Sequence, residues 1–290
     1  MTTPYSPRRL TRPYVAASAL TLLLAVVAAG VGLFVPGFYR DAAVLLPQLY
    51  GQDLLTLAVA VPALAVALRS ARRGSLRGYV VWLGVTGYFL YTYASYALLT
   101  TFNELYLVYV ALFGLTLYTL VGGVARLDPT AVKTALDGHP VRGYVAFQAL
   151  VAGLVALLWL ADVGPASLAG TRPESIAGTT LPVPVIQSLD LAVVIPSFAL
   201  SAAFLWKRRA WGYVFTGVLL VKGTTLGLAV LAMIAFMLRS GQPVPAPQIA
   251  LFALLSVAGL ALTGRFFSAI SPRATATRPR ADAETRLPDP

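Results

Sequence analysis

Eight stretches of this chain, at about 14–36, 53–69, 79–100, 104–125, 143–161, 184–206, 213–238 and 248–270, are apolar over nearly their whole length. An α-helix needs roughly 20 apolar residues to cross the hydrocarbon of a bilayer. Backbone groups in lipid must be satisfied within the segment, so the expected fold is all-α, a polytopic transmembrane bundle of eight spans. Charged residues are 11% of the chain, against about 25% in a soluble domain. The bilayer is therefore the one partner that composition alone specifies.

Four of the stretches open alike: Pro13-Tyr14-Val15, Gly78-Tyr79-Val80, Gly143-Tyr144-Val145 and Gly212-Tyr213-Val214, each closely preceded by arginine at Arg12, Arg77, Arg142 or Arg209. Arginine stays at the charged lipid surface, and tyrosine lodges where headgroups meet hydrocarbon. Each cluster thus marks a helix starting out from the cytoplasmic side. The tyrosines recur after 65, 65 and 69 residues, enough for one helix out and one back.

Net charge is +11, but its distribution argues against a nucleic-acid partner. With the N-terminus inside, only Arg40, Arg172, Arg239 and Lys222 fall away from the cytoplasmic face. That asymmetry is the positive-inside bias. It predicts a plasma-membrane protein with both termini cytoplasmic, and the arginine- and alanine-rich composition leans bacterial. The chain has no cysteine, and His139 is its single histidine. Thiol chemistry, thiolate metal sites and bis-histidine haem are excluded, and no cofactor is expected.

A duplication is also legible. Arg12-Pro-Tyr14-Val15-Ala16 matches Arg142-Gly-Tyr144-Val145-Ala146 at an offset of 130 residues, whereas Leu57-Ala58-Val59 with Pro62 matches Leu191-Ala192-Val193 with Pro196 at 134. The predicted organisation is a single transmembrane domain over 1–270, made of parallel four-helix halves at 13–126 and 142–270. A disordered cytoplasmic tail over 271–290 follows. Prolines 62 and 196 are expected to kink their spans. Residues 37–52 are expected to lie along the outer surface as a short amphipathic stretch. The connection at 162–183 either covers an outer cavity or forms a loose loop.

The polar residues inside the apolar runs are the candidate site. Lys222 is expected roughly 13 Å into a ~30 Å core, where an ammonium costs at least ~2.5–3.5 kcal/mol without a partner or a wet cavity. Asp190, on the preceding span, is the expected partner, with Gln187, Ser197 and Ser201 on the same helix face. Gly223 and Gly227 offer close packing. The pair is either an outward-opening ligand site or a staple that docks two helices. Asp53, Asn103 and Glu104 sit where the second and fourth spans begin. They either cap those helices or join Gln48, Gln52, Gln187 and Asp190 around one outer vestibule. The tyrosines and phenylalanines of the third and fourth spans are expected to pack and to form an interfacial belt.

The segment Tyr50-Gly-Gln-Asp-Leu-Leu55, the pair Phe102-Asn103 and the run from Trp211-Gly-Tyr-Val to Lys222-Gly223 together resemble a family of uncharacterised eight-span bacterial membrane proteins. The resemblance covers most of the chain and implies the fold but no activity. Three functions stay open: a small-solute transporter or solute-binding protein (the ligand a small solute or lipid-like molecule), a structural or assembly component, and an intramembrane enzyme.

Overall fold

The computed structural model describes residues 10–270, so the predicted tail at 271–290 lies outside the described residues. All regular elements among them are helical. The long helices are α1 (Arg12–Phe34), α2 (Leu46–Arg72), α3 (Leu76–Leu99) and α4 (Tyr106–Arg126) in the first part of the chain. After a short helix α5 (Pro129–Ala135) come α6 (Arg142–Ala169), α7 (Val185–Trp206), α8 (Ala210–Arg239) and α9 (Ala246–Ala269).

Local chemistry sets several of these boundaries. Ser75 caps α3 by accepting from the Gly78 N–H at 3.1 Å, and Asp128 caps α5 from the Thr130 N–H at 2.9 Å, satisfying amides that a helix start leaves free. Gly170 ends α6 in the left-handed region, at φ 65°, a conformation open to glycine at no steric cost.

Seven of the long helices, not eight, are both long and apolar enough to cross a membrane; α3 falls outside that set. Its composition explains why. Tyr79, Tyr88, Tyr91, Tyr93, Tyr96, Thr86, Thr92 and three glycines replace the aliphatic residues of its neighbours. Most of α3 is nevertheless buried, because α2, α4 and α8 enclose it. Polar-tipped rings are tolerable there since protein supplies their partners. Tyr79 donates to the Gly123 carbonyl at 2.8 Å, and Trp82 Nε1 donates to Ser18 Oγ at 2.9 Å.

Helices α3 and α8 form the centre, crossing where Gly84 faces Val218 and Val221 and Gly217 faces Val80 and Phe266. The absence of side chains at both glycines lets the backbones approach closely. Tyr14 packs on Gly122 and Arg126, and Arg77 Nε hydrogen-bonds the Ile270 carbonyl. Both described chain ends therefore lie at one end of the bundle, termed proximal below. The connections after α1, α3, α6 and α8 lie at the distal end.

The second helix begins at Leu46, seven residues before the expected start, and the second part of the supposed surface stretch over 37–52 is its first turns. Pro47 fits the first turn, where no amide partner is needed. Gly51 is buried against the α8 backbone at Ala232 and Met233. The connection after α6 is likewise shorter than expected, because that helix runs to Ala169. Arg172 Nη2 orders the connection by donating to the carbonyls of Ile176, Thr179 and Leu181.

Candidate functional site

Both α2 and α7 contain one wide π turn, at Thr56–Ala60 and Asp190–Val194. Each is closed by an N–H reaching back five residues, Val61 to Thr56 and Ile195 to Asp190. Pro62 and Pro196 follow directly. Proline has no N–H, and its ring crowds the carbonyl four residues back, so the helix loosens there into the wider turn. The expected kinks are thus π turns, displaced from one another by 134 residues.

That displacement brings out a second equivalence. Thr56 and Tyr88 are hydrogen-bonded, hydroxyl to hydroxyl, at 3.1 Å. Adding 134 to each number gives Asp190 and Lys222. Thr56 and Tyr88 are thus a neutral, closed pair, whereas the residues 134 positions further on are oppositely charged.

Those charges do not close on each other. The ion pair among the described residues is Arg40 with Glu104, exposed at the distal end. Asp190 accepts from Trp159 Nε1 at 2.8 Å through one oxygen, while Oδ1 has no hydrogen-bond partner. Lys222 Nζ has none either, and lies 4.2 Å from the centre of the Tyr91 ring. Both residues are 6% exposed. A buried polar atom without a partner costs ~1–3 kcal/mol, more if charged, so a native structure retains such atoms where something else meets them.

Both residues line a cavity of about 470 Å³, within the range of ligand pockets. Its polar lining includes Gln48, Gln52, Thr92, Ser95, Gln187, Asp190 and Lys222, with Tyr91, Tyr96, Trp159, Ser175, Gln248 and Ser256, and most of its apolar lining comes from α6, α7, α8 and α9. At the distal end it reaches Leu181 and Pro184. Gln52 is held in place by Nε2 donation to Tyr88 at 2.5 Å and to Thr92 at 3.0 Å. Gly223 and Gly227 of α8 face Phe198 and Ser256, fixing how closely α7 and α9 approach Lys222.

The structure thus brings together Gln48, Gln52, Gln187, Asp190 and Lys222, and leaves Asp53, Asn103 and Glu104 elsewhere. Asp53 does not cap a helix; it lies two turns inside α2, accepting from Tyr39 at 2.6 Å and Tyr96 at 3.0 Å. Gly32 leaves the room this cluster needs. Burial, and then the charge of Asp53, push the Tyr39 phenol far above its ordinary range, so it stays protonated and donates. Asn103 accepts from the Leu105 N–H at 3.0 Å in the turn before α4. Glu104 meets Arg40 outside. Ser201 faces away from the cavity, in a buried cluster with Thr216 and Gln148.

Trp159 and Tyr91 are the contacts of the two charges that sequence reasoning did not assign. Trp159 lies near the distal end of an apolar run, where tryptophan ordinarily marks the interface, so nothing in its spacing sets it apart.

The fold and the cavity define a multi-pass helical membrane protein. No family model, curated protein or solved structure matches the chain.

Proposed function

We propose that this chain is an eight-span, solute-binding membrane protein of transporter type, with both ends cytoplasmic and its binding site reached from the outer side. Asp190 and Lys222 supply the charges of that site, while Gln187 and Gln52 supply neutral hydrogen bonds. The observation that carries the reading is that Lys222 and Asp190, whose Nζ and Oδ1 are buried without a hydrogen-bond partner, both line one cavity. A staple would have joined them directly.

The length of α3 and its place between α2 and α4 support counting it as the eighth span. The basic residues at the ends of α2, α4, α7 and α9 support a cytoplasmic proximal face. The paired π turns and the equivalent Thr56–Tyr88 and Asp190–Lys222 positions support two parallel halves, 13–126 and 142–270. Transporters built from repeats place their sites between the halves, on helices with interrupted hydrogen bonding. Here one interruption is sealed by neutral groups and the other is charged and hollow. An intramembrane enzyme would need a reacting group positioned against these charges, and the cavity offers no nucleophile–base pair.

The chain has no cysteine, so a single introduced thiol reports its surroundings cleanly. In intact cells, Gln187→Cys and Ser95→Cys react with a small membrane-impermeant thiosulfonate added outside, whereas Thr116→Cys, fully buried, does not. Modification of Gln187→Cys only from the cytoplasmic side, or not at all, would overturn the reading.

A further inference from the structure

Helices α6 and α9 are the least buried of the membrane-length helices. They meet near the proximal end, where Tyr144 and Phe266 sit edge to face at 5.5 Å and Gly259 lies against Phe147. Farther out they part. Val151, Val155 and Leu158 of α6 and Phe252 and Leu255 of α9 all line the cavity, and each is partly exposed. One wall of the cavity is therefore an apolar cleft between two lipid-facing helices, and Lys222 and Asp190 lie behind it.

The charges limit what fills such a space. Lys222 offers donors, Asp190 Oδ1 offers an acceptor, and together they carry no net charge. A head with a net charge would leave one charge uncompensated at low dielectric. The volume admits roughly sixteen groups the size of water at ~30 Å³ each, enough for a compact head and part of one chain. Apolar walls suit the chain; the cleft leaves the remainder in the bilayer.

We infer that the cavity takes a single-tailed amphiphile from the bilayer through the cleft between α6 and α9. Its head carries no net charge, gives an acceptor to Lys222 and gives a donor to Asp190. This deepens the proposed solute site and rests on it.

The test uses the full-length protein in phosphatidylcholine vesicles with a long-chain monoacylglycerol carrying a diazirine in its tail. Cross-links are expected in α6 near Val155 and in α9 near Leu255. Untagged monoacylglycerol removes them, while the fatty acid of the same tail competes at least tenfold less well and glycerol does not compete. Leu255→Trp and Val155→Trp, filling the cleft from either side, each cut labelling at least tenfold, as does Lys222→Met. Two variants on opposite walls guard against one failing to fold; unchanged thermal midpoints show that they do fold.

Equal labelling of α1 and α4, indifferent to these variants, would refute the amphiphile. So would equal competition by the fatty acid, which removes the requirement for a neutral head. If glycerol alone protects Gln187→Cys from thiosulfonate and the tryptophans change nothing, the lipid route falls and the aqueous solute site stands. If Gln187→Cys is inert throughout, both fall.

Discussion

The Lys222 ammonium lies over the Tyr91 ring, 4.2 Å from its centre, while Asp190 takes its hydrogen bond from Trp159. Each charge is thus held by an aromatic neighbour on another helix. A cation over a ring face is worth ~0.5–2 kcal/mol, and the Trp159 N–H with the nearby Tyr91 hydroxyl are the neutral groups acting on Asp190. The hydrogen bonding of Lys222 Nζ and Asp190 Oδ1 is left incomplete, and both residues line the cavity.

Removing Lys222 therefore costs the fold little. Lys222→Met is expected to change unfolding stability in detergent by no more than about 1 kcal/mol, because no direct ion pair is broken. A buried staple would instead lose ~3–5 kcal/mol on losing one partner. Chemical denaturation of Lys222→Met beside Asp190→Asn measures this, and a large loss rescued by the double variant would contradict the cavity reading.

Asp53 shows the opposite behaviour. Asp53→Ala strands the buried Tyr39 hydroxyl, at ~1–3 kcal/mol, and leaves Tyr96 only its 3.3 Å contact with the Leu49 carbonyl, so stability should fall by about 2–4 kcal/mol. Thiol labelling at Gln187→Cys should persist in any folded fraction. Loss of that labelling with stability intact would place Asp53 in the site after all.

Two glycines separate packing from propensity. A Cβ on Gly51 would stand 2.5 Å from the Met233 N and Cα, and backbone cannot swing aside, so Gly51→Ala should cost about 1–3 kcal/mol. Gly153 has open space around it. Gly153→Ala should gain about 0.5–1 kcal/mol from reduced backbone entropy. The same denaturation assay compares them, and equal effects would show that the close approach of α2 to α8 is misplaced.

Acid should loosen the proximal end. Burial, and then the charge of Arg265, hold the His139 imidazole below its ordinary value of 6.5, and its Nε2 lies 2.9 Å from the Tyr144 hydroxyl. A depressed folded value means that the stabilisation is present above the unfolded value and is lost as pH falls through the folded one. Stability should decline as pH falls below the ordinary imidazole value of 6.5, and His139→Gln should flatten that slope. An unchanged slope in His139→Gln assigns the decline to other groups.

Much of the architecture was legible because the bilayer imposes length and apolarity on its spans. Tyr14, Tyr79, Tyr144 and Tyr213 each fall in the first turns of α1, α3, α6 and α8, where arginine and the aromatic ring meet the interface. The start of α2 was not legible. Pro47 and Gly51 read locally as breakers and Gln48, Gln52 and Asp53 as surface, whereas α8 and the tyrosines of α3 pack against them. The burial of α3 was not legible either, because its tyrosines, threonines and glycines make it less apolar than its neighbours. Its shielding by three neighbours is invisible in a hydropathy profile.

The amino-acid order on its own determined that the chain is a helical membrane bundle and that Lys222 and Asp190 are its anomalous charges, since an ionic group amid apolar residues stands out one-dimensionally. Which groups meet those charges was decided only in three dimensions. The π turns set the rotation of α7, and the splay of α6 from α9 set the space before it. Rotation and splay depend on how whole helix faces pack against one another, a property of the assembled bundle that no single segment encodes.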